Sequence, residues 1–210
     1  MCSYCSRALY ITLPGWRGQT LITNATFPNG MQSAAPCGGI GLTQNMSAWP
    51  IDGPGAIAIQ PGWFAGNMQT EFFINIGFGE DPETFDVPLV APFRVYGPSN
   101  RPFPGTFCLP DIFLPDGKRP RDGDYATIQV IQVHQTGNAA HNCVGIVFTN
   151  DDDEIPGINP HDCFNSAHIM LEPLSDIVAG EGVSIGIKAR IWGLWETIMG
   201  YLWHFEGLWW

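Results

Sequence analysis

Proline limits this chain more than any other residue. The sequence carries 18 Pro and 25 Gly in 210 residues, and Pro recurs in every segment before about position 175. Inside a helix, proline removes a main-chain donor and clashes with the preceding turn, at a cost of about 3 kcal/mol. Long helices are thereby excluded from that part of the chain. Short strands joined by turns remain, arranged as a sandwich or barrel. The length suits one domain with a good core, or two small ones.

Residues 126–133 alternate apolar with polar side chains and are rich in β-branched types, the pattern of a half-buried strand. Asp122-Gly123-Asp124 ahead of them signals a tight turn, and Gly137-Asn138 marks the connection to a second strand at 141–148. With Cys108 before this unit and Cys143 within it, residues 107–148 read as the centre of an antiparallel sheet whose neighbouring strands each carry a cysteine. Further strands are expected at 9–13, 56–59, 71–78, 92–96 and 167–171, with a short one near 20–24. In the segment 71–78, Phe72, Ile74 and Ile76 share one face while Phe73, Asn75 and Gly77 share the other. Residues 80–88 read as an acidic loop, and Trp49-Pro50-Ile51 as a lead-in to the strand at 56–59.

Charge and cysteine usage narrow the function classes. A net charge of −11, with no basic run longer than Lys118-Arg119-Pro120-Arg121, excludes nucleic acid as a partner, because phosphate binding needs clustered cations. Cys37, Cys108, Cys143 and Cys163 are dispersed, without Cys-x-x-Cys spacing, which suits disulfides in an oxidising compartment; sequence alone allows three pairings. Cys2 and Cys5 do form a Cys-x-x-Cys, on no strand–helix context. Sequons at Asn24 and Asn45 are candidate glycosylation sites of a secreted protein. No hydrolase elbow, zinc-protease helix motif or phosphate loop occurs. Gly38-Gly39-Ile40-Gly41 reads as a turn needing positive φ, and Asn150 to Glu154 as a solvated acidic turn lacking the spaced ligands of a calcium loop. Trp63 and Phe64 are candidates to face a glycan, against a core role.

An ordered set of short motifs is more specific than any one of them. They are Pro14-Gly15-Trp16-Arg17-Gly18, Pro36-Cys37-Gly38-Gly39, Trp49-Pro50-Ile51 and Gln60-Pro61-Gly62-Trp63-Phe64. Pro104-Gly105-Thr106-Phe107-Cys108-Leu109-Pro110, Ala126-Thr127-Ile128-Gln129-Val130, Asn142-Cys143-Val144 and Asp162-Cys163-Phe164-Asn165-Ser166 follow. In order and spacing, covering roughly residues 10–170, the chain resembles the fungal copper-acquisition factor family. That family's domain is similar to lytic polysaccharide monooxygenases with a histidine-brace copper site.

The resemblance implies an all-β, immunoglobulin- or fibronectin-like sandwich over residues 9–175, with disulfides Cys37–Cys143 and Cys108–Cys163. It also implies copper held by an N-terminal His, a second His and an Asp, a nitrogen-rich set that suits Cu(II). At the matching positions this chain has Ala8, Asn67 and Gly145, so no metal ligand is expected there. His134 and His141, near the ends of one connection, could hold an ion adventitiously; His161, His168 and His204 read as structural or solvent-facing. The implied function is a non-catalytic copper-binding, copper-acquisition domain of the fungal surface or secretome, its partner a copper ion or cell-surface copper-import machinery, with the ligands lost in this copy. Two alternatives are a metal-independent surface or glycan-binding scaffold, and an oxidative polysaccharide monooxygenase.

The ends depart from the family pattern. Residues 1–8 lack the apolar core of a signal peptide. Residues 176–210 read as a linker and helical tail, in which 187–210 holds five of the eight Trp. Glu196, His204 and Glu206 make a spanning helix costly there, and membrane-surface contact through 187–210 fits better. The tail also lacks the uncharged apolar terminus of the glycosyl-phosphatidylinositol (GPI) anchor signal common in the family.

Overall fold

The computed structural model describes residues 9–18, 32–62, 68–97 and 105–174. The expectations for residues 1–8, the strand near 20–24, Trp63 and Phe64, Asn24, His204 and the tail 176–210 lie outside the described residues. Among the described residues there are nine strands and no helix. They are β1 (Tyr10–Leu13), β2 (Met46–Pro50), β3 (Gly55–Gln60), β4 (Gln69–Phe78), β5 (Val87–Tyr96), β6 (Phe107–Ile112), β7 (Tyr125–His134), β8 (Ala139–Thr149) and β9 (Met170–Pro173). A three-stranded sheet runs β1-β3-β6, and a six-stranded sheet runs β2-β8-β7-β4-β5-β9.

The alternation in β7 does what its pattern predicts. Ala126, Ile128 and Val130 point into the space between the sheets, as do Phe72, Ile74 and Ile76 of β4 and Val144, Ile146 and Phe148 of β8. From the facing sheet come Ile57, Ile59, Phe107 and Leu109. Phe72 stacks on Phe93 (5.5 Å between centroids), and Phe107 meets both rings edge-on at 5.2 and 5.7 Å. Such pairs add to the area they bury. Trp49 is 1% exposed, and its indole lies where a Cβ on Gly55 would have to sit, so that contact requires glycine.

Four expectations need correction. Of the two cysteine-bearing strands, only β8 flanks β7; β6 pairs with β3 in the other sheet, because its Phe107 fills the core from the opposite side. Trp49-Pro50 leads to β3 but is itself the end of a strand: β2 runs parallel to β8, from Met46 opposite Gly145 to Pro50 opposite Thr149. Its position at the sheet edge tolerates the missing proline donor. β5 starts at Val87, earlier than expected, and takes in Pro88 and Pro92. The β4–β5 register slips between Phe72 and Ile74, beside Pro92, a bulge that frees the ladder from needing its N–H. The last strand begins at Met170, not 167.

Both disulfides join the pairs the resemblance implies. Cys37–Cys143 pins the 32–44 segment onto the outer face of β8, and Cys108–Cys163 pins β6 to the segment before β9. The turn readings hold as well: Gly38, Gly39, Gly123 and Gly137 all have positive φ. The acidic turn is closed on itself, with Asp151 Oδ1 accepting from Asp153 N at 3.0 Å.

Phe107→Ala should lower unfolding free energy by about 3–5 kcal/mol. Phe113→Ala, at a side chain 59% exposed, should stay within roughly 0.5 kcal/mol of the parent. Urea unfolding with disulfides intact reads both; similar losses would mean the sheets do not meet at Phe107.

Candidate functional site

Four amide side chains define one edge of the sandwich. Gln32 grips the main chain of Leu9 from both sides: its Oε1 accepts from Leu9 N at 2.8 Å, and its Nε2 donates to Leu9 O at 2.7 Å. Asn142 Nδ2 donates to the same carbonyl at 2.8 Å. Gln132 holds Gly62 in the same manner, accepting from its N at 2.8 Å and donating to its O at 2.6 Å. Met68 N donates to Gln135 Oε1 at 3.2 Å. The segments that flank positions 8 and 67 are thus fixed through their backbones against the His134 end of β7 and the start of β8.

The parity of β7 could have revealed part of this. Gln132 and His134 continue the inward series of Ala126, Ile128 and Val130, and a polar group in that series must find a partner. Gln132 is fully buried and Asn142 is 1% exposed. Gln32, in a segment without periodicity, gave no such signal.

Of the three family ligand positions, Gly145 lies within the described residues. Ala8 and Asn67 lie outside the described residues, although their neighbours Leu9 and Met68 sit at this edge. Gly145 pairs with Thr127 and Met46 on the outer face of β8, three residues along from Asn142, whose side chain reaches Leu9 from the inner face. A rise of about 3.4 Å per residue puts roughly 10 Å between the two rungs. A Cβ at Gly145 would also meet the Met46 thioether.

Among the described residues, the histidines do not converge. His134 follows the inward parity of β7, whereas His141 shares the outward parity of Cys143. Burial lowers the His134 pKa to about 4 and lowers that of His141 as well. His161 and His168 are exposed. Among the described residues no three His, Cys, Asp or Glu side chains are grouped to hold a metal ion. Alanine at 8 carries no imidazole, and Gly145 has no side-chain donor and faces away from the edge.

On the outer face the 14–18 and 32–44 segments cover β7 and β8. Arg17 is buried there, its Nη2 donating to Thr127 Oγ1 at 2.6 Å and its Nη1 lying 3.8 Å from Cys37 Sγ. Burial pulls its pKa below the usual value, and Asp81 partly opposes this. Gln129 Nε2 donates to Pro36 O at 3.0 Å and holds the same cover in place. The sequon residue Asn45 is exposed at the start of β2, with Nδ2 donating to Trp16 O at 2.7 Å.

The described residues form a disulfide-bonded, two-sheet β domain. The family model described as "Copper acquisition factor BIM1-like" matches residues 8–168. The chain is 41% identical over 206 residues to the lytic polysaccharide monooxygenase-like protein X325 of Hypocrea jecorina, covering 90% of this chain and 89% of that protein. It is 40% identical over 208 residues to the lytic polysaccharide monooxygenase-like protein ham-7 of Neurospora crassa, covering 92% and 90%. An X325 relative of Aspergillus fumigatus is 43% identical over 176 residues, covering 76% and 73%. The chain belongs to the BIM1-like copper acquisition factor family.

His134 carries a pH signature. Its folded pKa of about 4 lies below the unfolded value near 6.5, so the unfolded chain takes the proton first. Stability is therefore complete above about pH 6.5 and falls as the pH drops toward 4. Thermal melts between pH 7.5 and 5 should show this decline, and His134→Gln should flatten it. An unchanged slope would place the titrating group elsewhere.

Proposed function

We propose that this chain is a non-catalytic, copper-acquisition-type domain of the cell surface or extracellular space whose copper ligands have been lost. Family membership supports the copper setting, and the two disulfides support an oxidising compartment. The observation that carries the loss is the donor chemistry. A brace needs imidazole nitrogens and a terminal amine, and the positions matched to its two histidines read Ala8 and Asn67, while Gly145, matched to its Asp, faces away from the edge. The same reading takes the nine strands in two sheets as immunoglobulin- or fibronectin-like, a helical tail over 187–210 as a membrane-surface contact, and Asn24 and Asn45 as glycosylated. The partner is a copper ion or the surface machinery that imports it.

A second reading, a metal-independent surface scaffold, is favoured by the amide clamps, which hold the edge without an ion. A monooxygenase reading draws only on the names of the relatives, since oxygen activation needs copper ligands that Ala8 and Asn67 do not supply.

Copper binding by variants tests the proposal. A chain beginning at position 8 with Ala8→His and carrying Asn67→His should gain a one-to-one Cu(II) site visible by electron paramagnetic resonance. The parent should show none at equal concentrations. Adding Gly145→Asp should not tighten the new site, because that position faces away from the edge. Strong copper binding by the parent, or no gain in the two-histidine variant, would count against lost ligands.

A further inference from the structure

At the opposite end of β7 lies an open cleft of about 600 Å³ between the β4–β5 turn, the β6–β7 loop and the first residue of β7. Small-ligand sites span roughly 300–1,000 Å³. Its floor is aromatic and rigidly backed. Phe78 stacks on the buried Phe148 at 6.2 Å between centroids, and Lys118 Nζ lies 5.2 Å from the centre of the Phe78 ring. Tyr125, 44% exposed, is the open aromatic face, and Gly79 N donates to its carbonyl at 2.8 Å, tying the two walls together.

Four charged side chains line the cleft: Lys118, Arg119, Glu80 and Asp124. Among the described residues the ion pairs are those of Arg94 with Glu71 and Glu172, so none of the four is spent in a salt bridge there. Asp124 is held in its turn, its Oδ2 accepting from Arg121 N at 2.8 Å.

The chemistry of the lining selects the ligand. Two cations and two carboxylates leave the cleft electrically balanced, and the chain's net charge of −11 repels anions. What remains is a ligand with an apolar face for Tyr125 and with hydroxyls that accept from Lys118 and Arg119 and donate to Glu80 and Asp124. A pyranose ring has both: its axial C–H bonds form one apolar face, and its hydroxyls both donate and accept. We propose that this cleft binds a neutral saccharide. The site is separate from the copper-family edge and stands or falls without it.

The test is titration of the full chain with laminarihexaose, cellohexaose and chitohexaose, and with a hexagalacturonate as the anionic comparison, read by isothermal calorimetry. At least one neutral hexamer should bind saturably in the millimolar range or tighter. Tyr125→Ala and Glu80→Ala should each weaken that binding about tenfold or more while the melting temperature stays near the parent's. Three findings would overturn the proposal: no saturable neutral binder, parent-like binding by folded Tyr125→Ala, or tighter binding of the uronate.

Discussion

The inward face of β7 is the constraint on which the rest of the molecule depends. Its inward side chains are buried along the strand, first as Ala126, Ile128 and Val130 in the apolar core between the sheets, then as Gln132, bonded to Gly62, and His134. One period therefore does two jobs. Its apolar part closes the sandwich through burial. Its polar end fixes the segment after β3, because a buried amide without partners would cost about 1–3 kcal/mol.

On the proposed reading, this division lets the edge stand without copper ligands. Gln32, Gln132 and Asn142 bond to main-chain atoms of Leu9 and Gly62, so they do not depend on which side chains stand at positions 8 or 67. Substitution of a ligand removes metal affinity and leaves the backbone frame intact. The cover over the outer face is likewise independent of any ion, since Cys37–Cys143, Arg17 and Gln129 hold it to β7 and β8.

Much of the fold was legible because period and turn chemistry are local. The faces of β4, the alternation of β7 and the turns at Gly123 and Gly137 follow from sequence neighbours alone. Sheet membership is not local. Phe107 belongs to the facing sheet, and β2 joins β8 in parallel across some hundred residues; no property of either segment states its partner. At the edge, resemblance supplied the positions to inspect, but which face Gly145 takes was fixed only by the β7–β8 register. The clamps at Gln32 and Asn142 were invisible for the same reason, being long-range bonds to backbone rather than a pattern of side chains.

The most direct measurement of the central claim is the melting temperature of the full chain in chelator and after one equivalent of Cu(II). A ligand held only by the folded state raises stability by RT ln(1 + [L]/Kd), about 2.7 kcal/mol at a hundredfold excess over Kd. A frame that has lost its donors should melt at the same temperature with and without copper. A rise of several degrees that saturates at one equivalent would contradict the loss and place a working copper site on this chain.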